Sequence, residues 1–308
     1  MSPSHSVTVR FFPPPEELRP YFTTFYLTEI DPGQEAALHD SLHPEWAGLR
    51  FFTPRGPLAW TDAGERLDGA RFQATGPTSH PIHFALPKTR MWGIGLLPLG
   101  WARFVNQPAA EFANRVLDGQ TDPAFATFRP LADALLATGG DVDAELDAIT
   151  AFFQGFSAEP FADERRLLAI HVALVDPEVV TVADLVQRVA ASQRTVERLC
   201  DRHFGFSPKL LLRRQRFMRS LAQFMLDPSL KWIGAMDPNY HDQAQFVRDF
   251  REFMGLSPRE YAAQPHPVLE RFLHERMKAH GAPVQTLDKP IPGRARNPAR
   301  PAPAKLGF

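Results

Sequence analysis

A 17-residue pattern occurs twice in this chain, fifty residues apart, and it restricts the possible fold more than any other feature. The first copy runs Ser192-Gln-Arg-Thr-Val-Glu-Arg-Leu-Cys-Asp-Arg-His-Phe-Gly-Phe-Ser-Pro208. The second runs Asp242-Gln-Ala-Gln-Phe-Val-Arg-Asp-Phe-Arg-Glu-Phe-Met-Gly-Leu-Ser-Pro258. Each begins with a side chain that accepts a bond from an unpaired N–H at a helix start. Each reaches a Gly, the residue that takes the left-handed turn after a helix most cheaply. Each closes on Ser-Pro, an N-cap followed by the one helical position where proline is favoured. The spacing predicts two similar units, each a pair of helices joined by a tight turn.

In the first unit, Val182–Ala190 reads as a supporting helix with Leu185, Val186 and Val189 on its apolar face, and Ala191 lies in the turn. At 100° per residue, Val196, Leu199, Cys200 and His203 fall on one side of the next helix and Arg194, Glu197, Arg198 and Asp201 on the other. The outward set suits the major groove of double-stranded DNA. There Arg bonds guanine, Glu accepts from cytosine, and each good pair is worth ~1–3 kcal/mol of discrimination. The following helix reaches Leu226 and stops at Asp227-Pro228. It carries Lys209, Arg213, Arg214, Arg216 and Arg219 and spans ~28 Å, near the ~34 Å between successive major-groove faces.

In the second unit Phe246, Asp249, Phe250 and Phe253 fall inward, with Asp249 expected at the rim. Ala244, Val247, Arg248 and Arg251 fall outward, and Gln243 and Gln245 lie at the leading end, where Gln suits adenine. The supporting segment Leu230–Met236 is weaker. It contains Gly234, and Pro238 follows it. Asn239 is expected to take a left-handed conformation in the turn. The first copy should therefore supply most of the affinity.

These residues resemble the double helix-turn-helix domain of the AraC family of transcription regulators over 181–263. The Gly-Phe-Ser-Pro and Gly-Leu-Ser-Pro endings carry the resemblance, with Asn-Tyr-His-Asp-Gln-Ala-Gln-Phe-Val-Arg-Asp-Phe at 239–250. The chain departs from the family pattern at Asn239, where Gly is usual, at Ile233-Gly-Ala, and at Cys200, where an aromatic is usual. The resemblance implies that Arg194, Glu197 and Arg198 read bases in the first unit and Gln243, Ala244, Gln245 and Arg248 in the second. Arg202 and Arg251 are candidate phosphate contacts. Less specifically, Phe12–Tyr21 and Gly93–Phe104 resemble an N-terminal domain of some AraC-type regulators. That implies a sensor with a small-molecule effector as candidate partner. RNA polymerase and a second copy of the chain are further candidate partners; no cofactor is expected.

Charge follows the same division. Residues 1–175 carry 13 Lys/Arg against 21 Asp/Glu, whereas Arg188–Arg219 carries nine against two. A basic segment beside an acidic half points to one end of the molecule meeting a polyanion. No apolar run approaches the ~20 residues of a membrane helix, and Met1–Phe12 holds no apolar leader core. One cysteine, Cys200, fits a reducing compartment, and the expected location is cytoplasmic.

The expected fold class is α+β. A β-rich barrel or sandwich occupies 1–120, a helical linker and candidate dimerisation region 121–176, and the all-α DNA-binding domain 177–265. Strands are expected at Val7–Phe12, Tyr21–Ile30, Leu49–Phe52, Ala70–Ala74, Ile82–Leu86 and Met91–Leu97. Helices are expected at Pro108–Leu117, Asp122–Ala137, Asp141–Phe156 and Asp163–Val175. In the last part, 266–308, a short helix at Pro267–Lys278 precedes a basic, Pro-rich tail, with Gly281–Phe308 expected to be disordered. Trp46, Trp60, Trp92 and Trp101 suit a core better than a ligand cavity. An enzymatic reading rests on His39, His43, His80 and His83 as metal ligands of a cupin-like domain. Their scatter through a Pro-rich region, with no carboxylate-His motif, makes loop histidines the better reading. A DNA-repair fusion needs reactive or metal-binding cysteines outside the repeat, which this chain lacks. An interaction protein with degenerate DNA binding is the remaining alternative, and Pro238 is its best support.

Overall fold

A computed structural model describes residues 5–156 and 161–290. Ten strands build the N-terminal half: β1 Ser6–Phe12, β2 Phe22–Asp31, β3 Leu38–Leu42, β4 Ala47–Thr53, β5 Leu58–Trp60, β6 Arg66–Asp68, β7 Phe72–Thr75, β8 Ile82–Leu86, β9 Thr89–Leu96 and β10 Val116–Asp118. They form two antiparallel sheets, ordered β1-β2-β9-β4-β7-β10 and β3-β8-β5-β6. Between β9 and β10 lie a short turn, α1 (Pro98–Gly100), and a π-helical turn at Trp101–Val105. The helices that follow are α2 Arg129–Ala137, α3 Val142–Gln154, α4 Glu164–Val175, α5 Val182–Val189, α6 Gln193–Phe204, α7 Pro208–Leu226, α8 Lys231–Ala235, α9 Gln243–Met254, α10 Pro258–Ala262 and α11 Leu269–His280. The class is α+β, and among the described residues no helix is long and apolar enough to cross a membrane.

Strand periodicity explains how the larger sheet has two covered faces. On β2, Phe25 and Leu27 point to a core shared with Phe128, Leu131, Ile149 and Phe153 of the 123–154 helices. The alternate residues Tyr26 and Ile30 point between the sheets, toward Phe84 and Leu86. Thus α2 and α3 lie on the outer face of the sheet. Glu145 of α3 is buried there, accepting from Arg90 Nη1 (2.7 Å) and Trp92 Nε1 (2.7 Å). Meanwhile α4 belongs to a different core, sharing Leu167, Ile170 and Leu174 with Leu185, Val196 and Leu199.

Several expectations need correction. Pro108–Leu117 is not a helix: it is a 3-10 turn, Ala109–Phe112, followed by strand β10. Val116 and Leu117 pair with β7, so long-range pairing overrides a short apolar run. The strands β3, β5 and β6 were also not expected. β5 and β6 have three residues each and β3, with His39, Asp40 and Ser41, is mostly polar, so little periodicity marks them. The tail expected to be disordered from Gly281 is ordered to 290. Gln285 Oε1 accepts from Trp46 N (2.7 Å), its Nε2 donates to Ala47 O (2.9 Å), and Thr286 O accepts from Gln215 Nε2 (2.6 Å). The rest of that tail, 291–308, lies outside the described residues.

Candidate nucleic-acid interface

The two repeats fold as the same local structure. Ser192 Oγ accepts from Thr195 N (3.2 Å), and Asp242 Oδ1 accepts from Gln245 N (2.6 Å), so each capping residue starts its helix as the sequence requires. Gly205 and Gly255 end α6 and α9 with φ of 79° and 68°, the left-handed region. Ser207 and Ser257 then cap α7 and α10. The supporting helices differ. Thr181 and Asp184 form a reciprocal capping box on α5. In the second unit α8 has only five residues, follows a 3-10 turn, and begins at Lys231 with φ 53°. Asn239 is not left-handed. Its N–H donates to Asp237 Oδ1 (2.8 Å) and its side chain to Pro177 O (3.0 Å).

On α6, Val196, Leu199, Cys200 and His203 are buried, as the periodicity predicts. Burial pushes the Cys200 thiol up to about 12, so it packs as a small apolar group and is no nucleophile. On the outer side Arg194, Glu197, Arg198 and Arg202 are exposed. Glu197 Oε1 accepts from Gln193 Nε2 (2.8 Å), and Arg198 Nη2 lies 3.4 Å from Asp163 Oδ2. Among the described residues Arg194 and Arg202 have no bonded partner. On α9, Gln243, Ala244, Arg248 and Arg251 are exposed. Gln245 is half-buried and its Oε1 accepts from His241 N (3.1 Å), so it also closes the helix start.

Asp249 does not sit at the rim. It is 3% exposed and accepts from Arg213 Nη2 (2.6 Å), Arg216 Nη2 (2.9 Å) and Tyr240 Oη (3.1 Å). Arg213 also bonds Glu252 (3.0 Å at Nη1), and Arg219 Nε bonds Asp237 (2.5 Å). The basic run on α7 is therefore mostly internal: it fastens α7 to α9 and the turn before it. Arg214 is fully buried and faces the other way. Its Nη1 donates to Thr78 O (2.8 Å) and Glu45 O (3.3 Å), and its guanidinium lies 4.1 Å from the Trp46 ring. Burial lowers its pKa to about 9, so it remains a cation near neutrality, held by carbonyls and an aromatic face. A lone acid on the Phe246–Phe250–Phe253 face was the available signal for the Asp249 cluster, because a buried carboxylate requires cations.

A cavity of about 110 Å³ lies between the sheets and is lined on one side by α11 and the residues flanking it, including Val268, Phe272, Arg276 and Gln285. None of Trp46, Trp60, Trp92 and Trp101 lines it; Trp46, Trp92 and Trp101 are core. The four histidines are dispersed. His39 is exposed, and His80 Nδ1 meets Ser79 Oγ (3.0 Å). His83 bridges Ser41 (2.7 Å) and Asp62 (3.0 Å), and His43 Nε2 meets Tyr261 Oη (2.7 Å). Among the described residues no three His, Cys, Asp or Glu side chains gather as metal ligands.

Comparison with known proteins agrees with the C-terminal geometry. Residues 185–264 match the family described as a helix-turn-helix domain. Comparison with curated proteins returns no match. Among solved structures, ToxT from Vibrio cholerae is similar at 10% identity and a TM-score of 0.42, over 84% of this chain and 97% of that one. ToxT with a bound unsaturated fatty acid is similar at 12% and 0.39, over 84% and 94%. The AraC-like transcriptional activator CuxR is similar at 12% and 0.31, over 72% and 89%. With two capped units of one design inside that match, residues 185–264 form a double helix-turn-helix domain.

Proposed function

We propose that this protein is a sequence-specific transcription regulator that reads two adjacent major-groove segments with α6 and α9. The observation that carries the reading is the outward set on both helices. Arg194 and Arg202 on α6, and Arg248 and Arg251 on α9, are exposed and bonded to no protein group among the described residues. Arg194, Glu197 and Arg198 read bases in the first segment, and Gln243, Ala244, Gln245 and Arg248 in the second. Arg202 and Arg251 hold phosphate. Residues 1–120 sense, 121–176 join, and 177–265 bind. The cavity between the sheets is the site of a small-molecule effector, since its wall includes residues continuous with the DNA-binding domain. RNA polymerase and a second copy of the chain are the further partners of such a regulator, and the reading assigns no catalysis.

The test is a selection of genomic fragments on the purified chain, followed by titration across salt. A preferred sequence should emerge, and its affinity should fall steeply between 50 and 200 mM salt, by at least tenfold if only a few phosphates are contacted. Salt-independent binding, or no enriched fragment, would refute the proposal.

A further inference from the structure

The effector reading can be taken one step further, to the chemistry of the ligand, and this step rests on that reading. The cavity wall is mostly apolar, with Phe52, Phe84, Leu86, Met91 and Phe272 among its residues. At about 110 Å³ it is somewhat smaller than the ~150 Å³ apolar cavity that accepts benzene. A ligand of about single-ring size matches this volume better than a long chain does.

The polar groups on the wall divide into two kinds. The charged ones are already neutralised. Arg50 Nη2 bonds Glu45 Oε1 at 2.6 Å, and its Nη1 donates to Thr75 Oγ1 at 3.1 Å. Arg276 bonds Asp288 through both terminal nitrogens and donates to Ala282 O at 2.6 Å. A carboxylate entering here finds no free cation. Competing for Arg50 would strand Glu45, a partly buried acid, without its partner. Most of the uncharged groups are bonded within the protein, but two of their atoms are not. Thr28 Oγ1 and His43 Nδ1 are buried, belong to side chains that line the cavity, and have no hydrogen-bond partner among the described residues. Thr28 is fully buried and His43 is 6% exposed. Strand alternation places Thr28 on the same face of β2 as Tyr26, toward the cavity. Burial holds His43 down to about 3, so it stays neutral and offers a ring nitrogen, not a charge.

We propose that this cavity selects an uncharged, mostly apolar molecule of single-ring size that carries a hydroxyl or carbonyl group, bonded by Thr28 and His43. Water is the weaker occupant, because a largely apolar wall gives it too few partners.

Calorimetric titration of the full chain with three matched probes tests this: toluene, benzyl alcohol and benzoate. Benzyl alcohol should bind one per chain, at least tenfold tighter than benzoate. Thr28→Val should weaken benzyl alcohol by roughly fivefold, the loss of one ordinary hydrogen bond, and leave toluene unchanged, which also shows that the variant is folded. Benzoate binding as tightly as benzyl alcohol would overturn the ligand class while leaving an effector site in place. An unchanged benzyl alcohol affinity in Thr28→Val would overturn the role of Thr28. Failure of all three probes to bind would overturn the effector reading itself.

Discussion

Replacing Asp249 separates two accounts of the basic run on α7. In one, Arg213, Arg216 and Arg219 are DNA contacts. In the other, they hold the second reading helix in place. Asp249 is 3% exposed and takes bonds from Arg213, Arg216 and Tyr240. Asp249→Ala leaves two guanidinium groups facing a cavity without their acid, one of them with only 12% of its side chain exposed. Breaking a buried pair in this way costs about 3–5 kcal/mol. Arg213 retains Glu252 (3.0 Å), and that residual pairing favours the lower end of the range. Asp249→Asn keeps the shape and one acceptor oxygen, and it should cost about half as much, because charge-assisted bonds are roughly twice as strong as neutral ones. Urea unfolding followed by circular dichroism measures both, with the midpoint shift converted through an unchanged slope. A double-mutant cycle with Arg216→Ala should give a coupling of at least about 1 kcal/mol, within the range for residues in direct contact. If Asp249→Ala loses less than about 1 kcal/mol, or the cycle shows no coupling, the clamp is not what fixes α9.

Three further outcomes follow from named groups. Arg194→Ala and Arg248→Ala should each relax base choice at one position, and Arg198→Ala should relax sequence choice more than Lys209→Ala; an equal loss on every sequence, read by competition binding, would demote these residues to phosphate contacts. Ala190 takes φ 52° and ψ 46° at the end of α5, so Ala190→Gly should stabilise the chain by about 1 kcal/mol in urea unfolding, the cost a non-glycine residue meets in that region; destabilisation would mean the methyl packs usefully. His171 is 2% exposed, and burial first, then the Arg214 charge, lowers its pKa from 6.5 to about 3. Because the folded value is depressed, its contribution is complete above 6.5 and is lost as the pH falls toward 3. At pH 5 the loss is about 2 kcal/mol, and His171→Leu should flatten that part of the stability profile; an unaltered slope would place the titration elsewhere.

The repeat was legible because caps and terminators are local. Ser192, Asp242, Gly205 and Gly255 act through bonds and backbone angles within their own turns, so a single sequence reports them. Helical periodicity likewise separates Val196 and Leu199 from Arg194 and Arg198 without any knowledge of the rest of the chain. The strand β10 and the segment around Gln285 were not legible, because what orders them is remote: Thr75 and Ala74 pair with Val116 and Leu117, and Trp46 receives Gln285. Charge counting failed for a related reason. It treats the arginines of α7 alike. Yet Arg213 and Arg216 turn toward an acid on α9, Arg219 toward Asp237, and Arg214 toward carbonyls of the sheet domain. Which polyanion a cation meets, DNA or the protein's own carboxylates, depends on tertiary geometry that net charge does not contain.

That division of labour on α7 bears on how a ligand could reach the reading helices. One side of the helix is fastened to α9 through Asp249, and another to the sheet domain through Arg214, which donates to Thr78 and Glu45. Glu45 is also the acid that pairs with Arg50 on the cavity wall. A third contact, Gln215 to Thr286, joins α7 to the segment that lines one side of the cavity. Under the proposed function, a shift of either wall by a bound effector would act on α7 through these contacts, and through Asp249 on α9. The first reading helix has its own core with α4 and α5 and a better-capped support. Under the proposed function, the first unit is expected to anchor, and the second, with its short α8, to be the unit whose position the proposed effector most readily changes.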